Sequence, residues 1–214
     1  MARQKLTIPK GRACYPKLNE PDYRFKEDGE YSVTVALDPS QPAVKAFVKQ
    51  IDEIYKNNYD LNKLKLKGKA LKEGARPYKI DPDSGEVLVK CSLKPKVVVD
   101  GKAYFKKPKL LDAKLQPFSN SVEVGGGSIM AVGVLVNEWY TAALGAGVSL
   151  WIDAVVVYQR VVYDPTAAYG FATDDDGFDA ASAAEEFKGE EVSDADLAGP
   201  VVVEFEDGVT DDDF

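Results

Sequence analysis

Residues 86–100 read Glu86-Val87-Leu88-Val89-Lys90-Cys91-Ser92-Leu93-Lys94-Pro95-Lys96-Val97-Val98-Val99-Asp100. The odd positions Val87, Val89, Cys91, Leu93, Pro95, Val97 and Val99 are apolar, while the even positions include Lys90, Ser92, Lys94 and Lys96. In an extended chain successive side chains point to opposite faces, so this period of two predicts a strand with one apolar and one basic face. The stretch is long for a single strand. Proline cannot donate to a ladder, so Pro95 predicts a bend, an edge or a bulge. Asp100-Gly101 then has the chemistry of a two-residue hairpin turn. The returning chain carries Tyr104, Phe105, Lys106, Lys107 and Lys109. Rings interleaved with lysines on a strand pair match a surface that stacks bases and follows phosphates.

Upstream, Glu30 to Asp38 alternates in the same way, with Tyr31, Val33, Val35 and Leu37 on one face, and predicts a half-buried strand. Asp38-Pro39-Ser40-Gln41-Pro42 predicts a helix start, with Asp38 or Ser40 as N-cap and a proline in the first turn. Val44, Phe47, Val48, Ile51, Ile54 and Tyr55 follow at helical spacing, a core-facing stripe on a helix running to about Asn57. Lysines at 63, 65, 67, 69 and 72, with Gly68 and Gly74 among them, predict a mobile basic loop that is either simply solvated or in contact with phosphate. Downstream, Gly125-Gly126-Gly127 predicts a turn and lacks the Gly-Lys pattern of a phosphate loop. Ile129 to Val136 is apolar on both faces and predicts a central strand. Asn137 to Gly147, with Trp139, Tyr140 and small residues, predicts a loop. Val148 to Val162 predicts a second long, curved strand. Strand-rich, with one helix and long bent strands, the chain is expected to be all-β with one capping helix, an OB-fold five-stranded barrel, with a β-sandwich as the alternative.

The 214 residues carry a net charge of −8, an average that hides two halves of opposite sign. Residues 1–165 hold 26 basic and 19 acidic side chains, a balance of +7, and residues 166–214 hold one base, Lys188, and 16 acids, a balance of −15. Between Lys56 and Lys109 alone there are 15 bases and six acids. The division predicts a folded basic domain over 1–165 and a disordered acidic tail over 166–214, whose scattered apolar residues cannot offset chain entropy. A solubilising tail is one reading and a docking or autoinhibitory tail the other. Asp211-Asp212-Asp213-Phe214, an aromatic behind three acids, favours the second.

The chain has no histidine and two cysteines, Cys14 and Cys91. That excludes a Ser-His-Asp triad, a Cys-His pair, an imidazole metal site and a zinc ribbon, and leads to the expectation of no enzyme, no cofactor and no metal. Asp81 and Asp83 are the tightest carboxylate pair in the basic part, but Pro82, Ser84 and Gly85 around them read as a turn. A metal-dependent nucleic-acid enzyme and a structural or scaffold β-protein stay open as alternatives. The basic start, Met1 to Lys5, is not followed by an apolar h-region, and no apolar run approaches the ~20 residues of a membrane helix, so a soluble cytoplasmic protein without membrane contact is expected.

One stretch carries a resemblance. Val122-Glu123-Val124-Gly125-Gly126-Gly127-Ser128 is followed by an apolar strand. Then come Glu138-Trp139-Tyr140-Thr141-Ala142-Ala143-Leu144-Gly145-Ala146-Gly147-Val148-Ser149-Leu150. This resembles the single-stranded DNA-binding proteins of T-odd bacteriophages (the T-seven type), in which a triple glycine with serine and a strand precede Trp-x-Thr-Ala-x-x-Gly-Ala. The acidic tail ending in Phe214 matches too, and the N-terminal half matches by layout only. The family's Tyr-Lys pair before the tryptophan is Asn137-Glu138 here, which leaves the stacking role to Tyr140 or another aromatic.

The resemblance implies an OB-fold that binds single-stranded DNA without sequence preference in phage replication, recombination and repair, in the cytoplasm of the infected host. It also implies a tail that contacts the phage DNA polymerase and helicase–primase and occupies the cleft when DNA is absent. A homodimer is left open. Residues and resemblance together nominate Lys63, Lys65, Lys67, Lys90, Lys94, Lys96, Lys106, Lys107 and Lys109 for phosphates. Tyr78, Tyr104, Phe105, Trp139 and Tyr140 are nominated for bases, and Asp211, Asp212, Asp213 and Phe214 for the tail's partner.

Overall fold

The computed structural model describes residues 3–24, 26–67, 70–99 and 102–162. In chain order these form β1 (Lys5–Asp22), β2 (Glu30–Leu37), α1 (Pro42–Lys65), β3 (Tyr78–Ile80) and β4 (Val87–Leu93). They are followed by β5 (Lys96–Val99), β6 (Lys102–Phe105), β7 (Lys109–Leu111), β8 (Ile129–Thr141) and β9 (Gly145–Gln159). The acidic segment 166–214, including Asp211 to Phe214, lies outside the described residues.

β1 belongs to two neighbours in turn. Its first half pairs with β8, from Lys5↔Leu135 to Ile8↔Val132, and its second half pairs with β2, from Arg12↔Ala36 to Asp22↔Glu30. The register with β8 shifts between Ile8 and Gly11, around Pro9, which has no N–H to give to a ladder. Gly11 follows that shift, and a Cβ there would lie 2.5 Å from the Ala36 carbonyl oxygen. β2 pairs antiparallel with β4, and β8 with β9. A parallel pairing, Ser92↔Trp151, joins β4 to β9. The ring β1-β2-β4-β9-β8 is therefore closed, which is the OB-fold barrel and excludes the sandwich. β3 extends the edge of β4, β7 lies parallel to β9, and β5–β6 form a separate two-stranded hairpin.

The period of two is met inside the barrel. Val87, Val89 and Cys91 of β4 are buried, as are Tyr31, Val33, Val35 and Leu37 of β2. All of these but Tyr31 meet Ile8, Met130, Val132, Leu150 and Ile152 in one core. Burying each such side chain is worth about 1.5–3 kcal/mol. From α1, Val44, Phe47, Ile51, Ile54 and Tyr55 join that core, and the helix packs on β9, β1 and β8.

The structure corrects several boundaries. The helix does not stop near Asn57 but runs to Lys65, so Lys63 and Lys65 sit in its last turn and not in a loop. Cations there complement the negative end of the helix dipole. Its N-cap is Gln41, with no side-chain cap bond. The Asp38 carboxylate instead accepts the Ser40 N–H at 2.8 Å, and this bonding holds it below the usual carboxylate range. Pro95 separates β4 from β5, and Gly127 takes the left-handed conformation in the triple-glycine turn (φ +87°). Asn137 to Gly147 is not a loop: β8 continues to Thr141 and β9 begins at Gly145, which places Trp139 and Tyr140 on a strand. Cross-strand pairing overrides the loop-like composition there, with Trp139 opposite Gly147 and Tyr140 opposite Ala146. Among the described residues, no helix is long and apolar enough to cross a membrane.

Candidate nucleic-acid interface

The outer faces of β2, β3 and β4 and the near ends of β8 and β9 line a groove of about 610 Å³. Its outward aromatic is Trp139, and its basic members are Lys26, Arg76, Lys79 and Lys90; Tyr78, opposite the buried Val89, borders it with its ring packed on the core. Hydroxyls come from Thr34, Ser92 and Ser149.

Trp139 is placed by the hairpin and by the helix. Its indole lies on Gly147, where a Cβ would collide with the ring. From α1, the amide of the buried Asn58 donates to the carbonyls of Trp139 (3.2 Å) and Gly147 (2.9 Å). Asn62 in turn donates to the side-chain and backbone oxygens of Asn58, both at 2.8 Å. This buried amide pair clips the end of the β8–β9 hairpin to the helix. Buried polar groups cost free energy unless bonded, so the pairing of each amide specifies one geometry.

The helix also fixes the opposite wall. Tyr55 donates to the Gly74 carbonyl at 3.1 Å and Tyr59 to the Leu71 carbonyl at 3.0 Å. Residues 72–75 then lie along β9, with the Gly74 N–H on Ala146 O (2.8 Å) and the Val148 N–H on Ala75 O (3.1 Å). The small residues Gly145, Ala146 and Gly147 make this approach possible: a Cβ on Gly74 would lie 2.5 Å from Ala146 O. Arg76 stacks 4.0 Å from the Tyr55 ring centre and faces Asp52 (3.4 Å) and Glu73 (3.9 Å). Tyr78 donates its hydroxyl to Asp52 at 2.8 Å. Burial, then this acceptor, pushes the phenol up to about 12, so it stays neutral and keeps its bond to the helix.

Charge in the groove is uneven. Lys26 pairs with Glu30 and Arg76 with Asp52 and Glu73, whereas Lys79 and Lys90 have no ion pair among the described residues. These two are the cations open to a phosphate chain.

Of the residues nominated from sequence, the groove brings together Lys90 and Trp139, and Tyr78 borders it with its ring turned to the core and the helix. Tyr140 points to the other side of β8 and does not line it. Lys94, Lys96, Tyr104, Phe105, Lys106 and Lys107 lie on or beside the β5–β6 hairpin and are exposed, Phe105 at 78%. Lys109 opens β7, Lys63 and Lys65 end the helix, and Lys67 follows it in a left-handed conformation (φ +49°). Arg76, Lys79, Lys26, Ser92 and Ser149 were not nominated. The cluster Arg76-Pro77-Tyr78-Lys79 was a readable basic–aromatic signal for the first two, while the serines carry none. Asp81 accepts from the Ser84 hydroxyl (3.0 Å) and the Asp83 N–H (3.2 Å), so the acidic pair forms the β3–β4 turn.

Three solved structures share this architecture. gp2.5, a single-stranded DNA-binding protein encoded by bacteriophage T7, superposes with a TM-score of 0.69 at 19% identity, over 84% of this chain and 100% of its own. The single-stranded DNA-binding protein of bacteriophage Enc34 superposes as a C-terminal truncation with a TM-score of 0.54, at 15% identity over 75% of this chain and 88% of its own. In its complex with single-stranded DNA the TM-score is 0.53, at 15% identity over 74% of this chain and 88% of its own. No family model matches the sequence, and no curated protein matches it. At these identities the likeness shows the fold: the chain has the barrel of the phage proteins that the sequence resembles.

Proposed function

We propose that this protein binds single-stranded DNA without sequence preference and leaves it chemically unchanged. The observation that carries the reading is the groove in which Trp139 lies with Lys79 and Lys90. Every base has a flat face to set on a ring, and every nucleotide brings a phosphate to a lysine, so such a groove holds a strand of any sequence. That the Enc34 protein of the same fold is known in complex with single-stranded DNA supports it. The hairpin lysines and Lys63, Lys65, Lys67 and Lys109 add to the field that draws the strand in.

The biological role is protection of single strands in phage replication, recombination and repair, in the host cytoplasm. The −15 segment 166–214, tethered to a +7 domain, competes with phosphates for the basic surface. When DNA displaces it, Asp211 to Phe214 become free for the phage polymerase and helicase–primase.

Titrating the protein's tryptophan fluorescence with oligo-dT at several salt concentrations tests this. Quenching is expected, with affinity falling steeply as salt rises, by about 0.7 in log–log slope for each phosphate contact. Absence of quenching and of salt dependence refutes DNA binding. Removing residues 166–214 is expected to raise affinity at low salt, and an unchanged affinity refutes the competing tail.

A further inference from the structure

Beyond the groove, β9 continues along the same face of the barrel. Along β9 the outward positions after Gly147 are Ser149 and Trp151, with the buried Leu150 and Ile152 between and beyond them and no register shift in between. Trp151 is half-buried, pairs across to Ser92 of β4, itself a groove residue, and is opposite Leu135 of β8. Trp139 is opposite Gly147, so the two tryptophans are four residues apart along the strand, roughly 13 Å at a strand's rise. The Arg3 guanidinium lies 4.2 Å from the centre of the Trp151 ring.

Asp153, two residues along β9, faces Lys5 at 3.8 Å, and the other charged residues around Trp151 are basic. β4 and β7 lie along the same edge of β9, at Ser92↔Trp151 and Lys109↔Ala154. The chain between them, which carries the β5–β6 hairpin, therefore leaves and returns beside Trp151. Its stem is closed by the Lys106 N–H on the Pro95 carbonyl at 2.8 Å. Lys94, Lys96, Lys106 and Lys107 are all within two residues of that closure or at it.

The geometry points to a second stacking platform at Trp151, guarded by Arg3, so that a bound single strand runs out of the groove at Trp139 across Ser92 and Ser149 to this tryptophan. The inference rests on the DNA-binding reading above. A guanidinium on an indole face is a cation–π contact of modest strength, which an incoming base replaces by stacking, while Arg3, exposed two residues before β1, turns to the adjacent phosphate. The structure thus divides the site in two: a groove for a short strand and an extension that only a longer strand reaches.

The chain has two tryptophans, so Trp139→Phe leaves Trp151 as the only indole reporter. Binding of dye-labelled oligo-dT of about 4 and about 12 nucleotides, spanning the range of OB-fold site sizes, is followed by anisotropy while Trp151 fluorescence is read. The longer oligonucleotide is expected to quench Trp151 and the shorter to bind without quenching it. Trp151→Ala and Arg3→Ala, made separately in the otherwise unaltered full chain, are expected to lower affinity for the longer strand by about five- to tenfold and to leave the shorter strand's affinity unchanged. Arg3→Ala carries the test if the tryptophan variant fails to fold. Binding of the longer strand with no change at Trp151, or equal losses for both lengths, overturns the extension. Failure of the unaltered protein to bind either length instead overturns the DNA-binding reading itself.

Discussion

Replacing Asn58 by alanine tests whether the helix holds the groove in shape. The side chain is buried and makes three hydrogen bonds that alanine cannot: to Trp139 O, to Gly147 O and from the Asn62 amide. Each such bond contributes about 0.5–1.5 kcal/mol net, and carbonyls left without a partner in a dry site add to the loss. The sum is about 2–4 kcal/mol, a large part of the roughly 5–15 kcal/mol of a typical domain. Asn57→Ala is the control, because Asn57 is exposed. In urea unfolding, with a slope of about 1–3 kcal/mol per molar, the Asn58→Ala midpoint is expected to fall by about 1–2 M with the slope unchanged. Oligo-dT affinity, measured without urea, is expected to fall as well, since the end of β8 that carries Trp139 loses its anchor. A stability loss below about 0.5 kcal/mol, with affinity equal to that of Asn57→Ala, would show that the amide pair does not hold this hairpin.

Three further outcomes follow from the same geometry. Gly147→Ala places a methyl where the Trp139 ring lies, so the indole must leave its seat. Circular dichroism is expected to report an intact barrel while oligo-dT affinity falls by about tenfold. Lys79→Ala and Lys90→Ala are each expected to reduce the salt slope of binding by about 0.7, and the double variant by about twice that, read from titrations at four or more salt concentrations. Tyr78→Phe is expected to cost about 1 kcal/mol in denaturant unfolding at neutral pH through loss of the bond to Asp52. Because the folded phenol sits at about 12 against an ordinary value near 10, this contribution is complete below pH 10 and lost as pH rises toward 12. A spectroscopic pH titration of unaltered and Tyr78→Phe protein reads it directly.

The alternation of residues 86–100 and 30–38 marked two barrel strands and their inward faces, because burial on a pleated strand repeats locally every second residue. The helix stripe was legible for the same reason with a different period. The helix end was not: Asn58 and Asn62 look like surface residues in sequence, and only the strand carbonyls of Trp139 and Gly147 make burying them worthwhile. The same contacts turn a stretch that reads as a loop into paired strand.

The amino-acid sequence by itself determined the period-two strands, the amphipathic helix and the division of charge at residue 165. All are properties of neighbours in the chain, so no folding is needed to read them. Which of its many lysines and aromatics face one another was decided by tertiary structure. Lys90 and Lys96 are alike in sequence, both on the basic face of one alternating stretch. Pro95 ends the ladder between them, and barrel closure at Ser92↔Trp151 leaves Lys90 in one groove with Lys79 and Trp139 and sends Lys96 out on a hairpin. Register joins residues far apart in the chain, so the composition of the groove is a property of the closed barrel and of no single segment.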